Sequence, residues 1–514
     1  MTTTPSDFKL SQTDYERFRN FIMDRIGLDF PEDKRHMLSR GLAEILNATN
    51  CTSLDQLYLM LQSRSATSSL WDQVVSALTV GETYFFRNNS HWDALRQQII
   101  PSIMAQREHS SRRIRIWSAG CATGEEPYSI AMLLRDMIPN LDSWNILILA
   151  TDLNRAAIAK AQQGQYGSWS FRGVDKRIQD TYFKLQDKFY VLDERIKRMV
   201  TFSYLNLVGD PYPSLSNNTN AMDIILCRNV TIYFTPQVTL EVVKRFHESL
   251  TDGGWLIPGP SEPNMVYYGD FETRNFPGTV VYQKARPLSP RAAKIFDNFR
   301  PAATAPAFVP ETPVFKSQPI ASTAPTASTV TTSMRPTISV TPPPAPPKPV
   351  DPFVVAQQLL IDGKLDEALI QLYEKLNADP AFVPTYYTLG KIYANKGNLE
   401  EAQAWCQKAI QRDKLHAEPY YTLSLIYQQH GLIDQSIDML KRAIYLDREF
   451  ILAHYNLAQL YRQQNDEANA RRSLQNVQRI LEAKPRDEVI PESDGMLIGR
   501  LREMVDNELS VQQN

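Results

Sequence analysis

Cysteine is scarce in this chain: four among 514 residues, Cys51, Cys121, Cys227 and Cys406. None forms a CxxC pair, so the scatter excludes a disulfide framework of the small secreted type and argues against structural zinc. Charge of one sign is lacking too. Fifty-five Lys and Arg balance 57 Asp and Glu, for a formal net charge of −2. No global field therefore draws the chain to nucleic acid or to an anionic membrane. No apolar run approaches the roughly 18 residues of a membrane span, and "MTTTPSDFKL" has no apolar signal core. The expectation is a soluble, cytoplasmic protein with no nucleic-acid partner and no direct membrane insertion. Its length exceeds what one core organises, so roughly two to four domains are expected.

Proline, by contrast, is concentrated. Residues 287–350 hold 15 of the 33 prolines, spaced by Ala, Ser and Thr. Such a stretch buries too little apolar surface to offset its ordering entropy and reads as a disordered, semi-extended linker. Downstream a 34-residue period sets in. Gly363, Gly397, Gly431 and Asn465 keep that step, as do Ala368, Ala402, Ser436 and Ala470. Leu389, Leu423 and Leu457 follow it, and so do Tyr393, Tyr427 and Tyr461. Small residues let paired helices approach, and Gly or Asn closes the first helix of each pair. This is the pattern of a tetratricopeptide array of about three and a half helix pairs. Its Tyr columns read as core, and its concave face as a surface for an unknown protein.

Upstream of the linker, "DYERFRNFIMDRIG" (14–27) is amphipathic, and "SLDQLYLMLQ" (53–62) opens on a Ser N-cap. Lys34, Arg35 and Arg40 form a basic cluster, a solvated face or a site for an acidic helix. Four apolar runs follow, "RIRIWS", "NILILATD", "DIILCRNV" and "GWLIPG", with helical segments between them. They predict a doubly wound α/β sheet. The stretch "KFYVLDERIKRMVTF" (188–202) reads as an inserted β-hairpin.

The loop "GCATGEE" (120–126) joins the first strand to a helix, the usual place for a nucleotide-like ligand. It lacks GxGxxG, and Glu125 and Glu126 would repel a pyrophosphate. Asp152 ends the second strand, where a carboxylate accepts hydrogen bonds from ribose hydroxyls. A nucleoside without phosphates, carrying an amino-acid group and a sulfonium, fits both features. S-adenosylmethionine is such a ligand. Cys121 and Cys227 lie in or beside this region as small packing residues.

Six stretches in order, "LTVGETYFFRN", "RIWSAGCATGEEPYSIAMLL", "ATDLN", "FSYLNL", "LCRNVTIYF" and "GPSE", resemble those of CheR-type chemoreceptor methyltransferases. The resemblance covers about residues 8–284, and the appended repeats resemble the tetratricopeptide-bearing branch of that family. It implies a multidomain architecture. An N-terminal all-α domain (8–80) would precede an α/β Rossmann-like methyltransferase domain (81–286) with a small inserted β-subdomain (about 167–202). The linker (287–350), a C-terminal α-solenoid (351–482) and a helical tail (483–514) would follow.

Carried over by position, the resemblance implies S-adenosylmethionine contacts from Thr83, Arg87, Glu125, Glu126, Asp152, Asn206, Leu207, Arg228 and Asn229. Arg87 would orient the substrate carboxylate, and Tyr233 would stand near the transferred methyl group. No metal is implied. The partner would be the cytoplasmic domain of methyl-accepting chemoreceptors, methylated on glutamate. Two departures stand out: Gly81 occupies a position often held by Asn, and Pro260 one often held by His. The competing expectation is a catalytically inert, cofactor-sensing scaffold acting through its repeats.

Overall fold

The computed structural model describes residues 10–49, 51–63, 69–286, 351–361, 364–493 and 496–511. The proline-rich linker and the first glycine of the repeat series, Gly363, lie outside them.

The amino-terminal helices form because their apolar residues recur on one face. In α1 (Gln12–Ile26) the Ser11 hydroxyl accepts from the Asp14 amide at 3.1 Å, and Gly27 closes the helix at φ 77°. Between these caps Tyr15, Phe18, Ile22 and Ile26 fall on one stripe. They pack with Leu38, Leu42 and Ile45 of α2 (Arg35–Thr49), Leu57 and Leu61 of α3 (Leu54–Gln62), and Trp71 and Val74 of α4 (Ser69–Leu78). Each fully buried side chain of this size contributes about 1.5–3 kcal/mol. Ser53 caps α3 through the Gln56 amide at 3.2 Å, as its sequence predicts. Of the basic cluster, Arg40 is exposed, whereas Arg35 binds Glu32, Gln12 and the Leu10 carbonyl. Arg35 is a cross-link of this bundle rather than a solvated face.

The α/β portion contains β1 (Arg113–Ala119), β2 (Asn145–Asp152), β3 (Gln165–Tyr166), β4 (Phe183–Gln186), β5 (Phe189–Leu192), β6 (Val200–Tyr204), β7 (Met222–Cys227), β8 (Leu250–Pro258), β9 (Phe271–Phe276) and β10 (Thr279–Lys284). The main sheet runs β6-β2-β1-β7-β8-β10-β9. It is parallel from β6 to β8, with β10 and β9 added antiparallel at one edge. β1 is buried along its whole length, as a central parallel strand must be. The order reverses between β1 and β7, so the loops at their carboxyl ends diverge and leave a crevice.

One expectation fails here. Residues 188–202 are not a hairpin: β5 pairs with β3 and β4 in a separate three-stranded sheet, while β6 pairs in parallel with β2. The intervening "DER" stretch is capped as a short helix by Asp193, which turns the chain back to the main sheet.

The carboxyl-terminal region contains four antiparallel helix pairs, from Pro352–Ile361 with Leu365–Ala378 to Ile451–Gln463 with Glu467–Glu482. Gly397, Gly431 and Asn465 have φ of 82°, 75° and 61° just beyond the first helix of their pairs, where the 34-residue series places them. Ala402, Ser436 and Ala470 are buried at the close helix contacts, and Tyr393, Tyr427 and Tyr461 pack against the repeat core. A final helix, Ile498–Val511, follows the last pair. The repeats meet the α/β portion at the start of β1 and β2. There Gln429 accepts from Arg113 at 3.2 Å through its side chain and from Asn145 at 2.7 Å through its carbonyl. Among the described residues no helix is long and apolar enough to cross a membrane.

Candidate active site

The crevice at the strand ends is a cleft with two lobes. One lobe is lined mainly by apolar side chains. Its floor and walls include Asp152, Leu205, Asn206 and Leu207, and Ile26, Leu28 and Leu78 of the helical bundle line it from above. The polar lobe carries Thr83, Arg87, Glu126 and Arg228. Asn229 and Tyr233 line both lobes.

The loop between β1 and its helix is tight for steric reasons. Gly120 has φ 82°, and a Cβ there would lie 2.4 Å from Val230 Cγ2. Gly120 therefore lets the loop approach the turn after β7. Asp152 at the end of β2 receives the Ala122 amide at 2.8 Å and the Asn154 amide at 2.7 Å. Burial pushes its carboxyl pKa up, and these amides oppose the shift.

The two glutamates part company. Glu126 faces the polar lobe, with Ser118 donating to it at 2.6 Å and Arg228 at 3.1 Å. Burial raises the Glu126 pKa and lowers that of Arg228, and the contact between them opposes both shifts. Glu125 lines neither lobe. It accepts from Thr123 at 2.6 Å and Ser170 at 3.0 Å, tying the loop to the segment leading into the small sheet. The expected glutamate pair is thus one cleft residue and one strut.

Asn206 lines the apolar lobe, beside Leu207. Its amide group donates to the Arg25 carbonyl at 3.0 Å and accepts from the Val208 amide at 3.0 Å, so the side chain is engaged by backbone at both ends. Beyond β7, Arg228 and Asn229 lie outside the strand, and Asn229 takes φ 59°. Its Oδ1 is buried without a hydrogen-bond partner, the signature of an acceptor awaiting a ligand.

A residue without an assigned role in the sequence holds this turn. Glu262, the last residue of "GPSE", is buried and accepts from the amides of Asn229, Val230 and Thr231 at 2.7–2.9 Å. The Gly259 amide and the Thr231 hydroxyl complete its shell. An acidic residue after a strand-ending Gly-Pro was the available signal. Pro260 is exposed and lines neither lobe, and a side chain at Gly81 would meet nothing within 4 Å.

At the mouth, Arg87 donates to the Glu82 carbonyl at 3.1 Å and makes no ion pair among the described residues. Its own carbonyl accepts from Arg228 and, at 2.9 Å, from Trp92. Tyr233 ends a short turn, half buried, which raises its phenol pKa. The Lys34 ammonium lies 5.7 Å from its ring centroid. Burial raises the thiol pKa of Cys121 and Cys227 well above normal, which suits packing and not nucleophilic chemistry.

The unpartnered Asn229 acceptor, the Asp152 carboxylate and the apolar wall fit a nucleoside bearing polar and cationic groups. Comparison with known proteins agrees. Residues 81–275 match the family described as "CheR methyltransferase, SAM binding domain", and 13–79 its "all-alpha domain". Tetratricopeptide repeats match at 383–414, 417–450 and 451–480. Chemotaxis protein methyltransferase 2 of Vibrio cholerae is 32% identical over 280 residues, 54% of this chain and 95% of that one. Chemotaxis protein methyltransferase Cher2 of Pseudomonas putida is 33% identical over 254 residues, 48% of this chain and 90% of that one. A probable biofilm formation methyltransferase, WspC, of the same organism is 33% identical over 49% of this chain and 57% of its own length.

Proposed function

This chain belongs to the CheR methyltransferase family, and we propose that it methylates glutamate side chains on cytoplasmic helices of chemoreceptors, its repeats recruiting a protein partner. S-adenosylmethionine is the methyl donor, and it supplies a methyl group made electrophilic by the adjacent sulfonium. Asp152 and Asn229 would hold its polar groups, Leu207 would border the base, and Glu126 would face the amino-acid end.

The observation that carries the choice of acceptor is Arg87: a guanidinium with no ion pair among the described residues, beside Tyr233, in the polar lobe. A cation there favours an anionic acceptor. A glutamate carboxylate, with an ordinary pKa of about 4.3, is already nucleophilic at neutral pH. The residues then have only to orient it and exclude water, which the apolar lobe and the bundle above it favour. Each methyl ester removes one negative charge from a receptor helix, and so shifts the repulsion within a helical bundle.

The test supplies methyl-labelled S-adenosylmethionine and the acidic cytoplasmic helices of receptors. Enzyme- and receptor-dependent release of volatile methanol by alkali supports glutamate esterification; no release, with donor binding intact, contradicts it. Arg87→Ala is expected, at saturating donor, to lower transfer by roughly a hundredfold through lost orientation. Normal transfer by that variant would remove Arg87 from the assignment.

A further inference from the structure

The final helix reaches back to the donor pocket. Arg500, near its start, ion-pairs with Asp210 and donates to the Tyr204 carbonyl at 3.2 Å. Its guanidinium carbon lies 4.9 Å from the Tyr204 ring centroid. The pair is buried: the side chains of Arg500 and Asp210 keep 9% and 14% of their exposure.

Asp210 in turn organises the pocket wall. Its second carboxylate oxygen accepts from the Asn206 amide at 2.6 Å, and its own amide donates to the Asn206 carbonyl at 2.9 Å. The carboxylate thereby closes the loop 206–210 onto itself, immediately behind Leu205, Asn206 and Leu207, which line the apolar lobe. Arg245 holds the carbonyls of Leu207 and Asp210 from within the α/β portion. Only Arg500 ion-pairs with the Asp210 carboxylate among the described residues. Without it, a largely buried carboxylate loses its ion pair, and the loop gains by opening towards water.

We propose that Arg500 is a positioning residue for the S-adenosylmethionine pocket. Acting through Asp210, it fixes the Asn206–Leu207 wall and couples the repeat region's last helix to donor affinity. The inference rests on the donor assignment alone and is independent of which acceptor is methylated. Linkage requires the reverse effect as well: bound donor strengthens the docking of the helix by the same factor.

The experiment uses the full chain and titrates S-adenosylmethionine by calorimetry. Arg500→Ala is expected to weaken donor binding about tenfold, within the usual range of coupling between sites. At saturating donor its kcat and its KM for the acceptor stay near wild type, whereas general unfolding would lower kcat without moving the donor Kd. Arg500→Lys keeps the charge but loses the fork to the Tyr204 carbonyl, and should restore part of the affinity. Gln429→Ala, at the separate contact with Arg113 and Asn145, should leave donor affinity unchanged. In the wild type, added donor should slow amide hydrogen exchange in residues 498–511. Wild-type donor affinity in Arg500→Ala overturns the proposal, as does equal weakening by Gln429→Ala or exchange indifferent to the donor.

Discussion

At the residue scale, the cleft depends on side chains that never face the ligand. Glu262→Ala would leave four backbone amides without their acceptor, at a cost of about 3 kcal/mol or more, and release the turn that carries Asn229. A lowered melting temperature together with weaker donor binding is expected; donor affinity equal to wild type would show that the turn holds itself. His91 gives a prediction in pH. Burial, with Arg228 nearby, lowers its pKa to about 3. The folded chain then binds fewer protons than the unfolded one between the ordinary value of 6.5 and 3. This contribution to stability is complete above pH 6.5 and is lost as the pH falls towards 3. Thermal melts across that range should fall less steeply for His91→Asn, and an unchanged acid slope would contradict the assignment. The place of Asp152 at the end of its strand was legible in sequence, because the apolar run stops there. The split between Glu125 and Glu126 was not. Consecutive helical residues point about 100° apart, and the packed neighbours, not the residue type, decide which of them faces the cleft.

At the scale of elements, periodicity showed the strands and helices but not their partners. Val200–Tyr204 has the composition of a hairpin arm, yet its backbone pairs with β2. Pairing is set by where the preceding short helix delivers the chain, and no residue type records that. The repeats were legible for the opposite reason, because each pair is its own neighbour's template. Ala402 is fully buried where two helices of a pair meet. Ala402→Leu should therefore overpack the pair and destabilise the chain by about 1–3 kcal/mol. Since the site lies far from the cleft lining, donor affinity should hold. A melt unchanged from wild type would mean that the helices separate without cost.

At the scale of the molecule, three parts converge on one cleft. The sheet supplies its floor, the amino-terminal bundle its cover, and the last helix of the repeat region a brace behind its wall. The first was legible from ordered motifs; the second was not, because nothing in the helical bundle's own pattern points to the cleft. The brace was not, because Asp210 and Arg500 are 290 residues apart and neither belongs to a motif. The central claim is that the Arg87 guanidinium in the polar lobe selects a carboxylate as methyl acceptor. Its most direct measurement is peptide mapping by mass spectrometry of receptor cytoplasmic domains after reaction with the full chain and S-adenosylmethionine. The account predicts single-methyl increments on glutamate side chains of the receptor helices, removed by mild alkali and formed roughly a hundredfold more slowly with Arg87→Ala. Alkali-stable increments on lysine, arginine or another non-carboxylate group would contradict it.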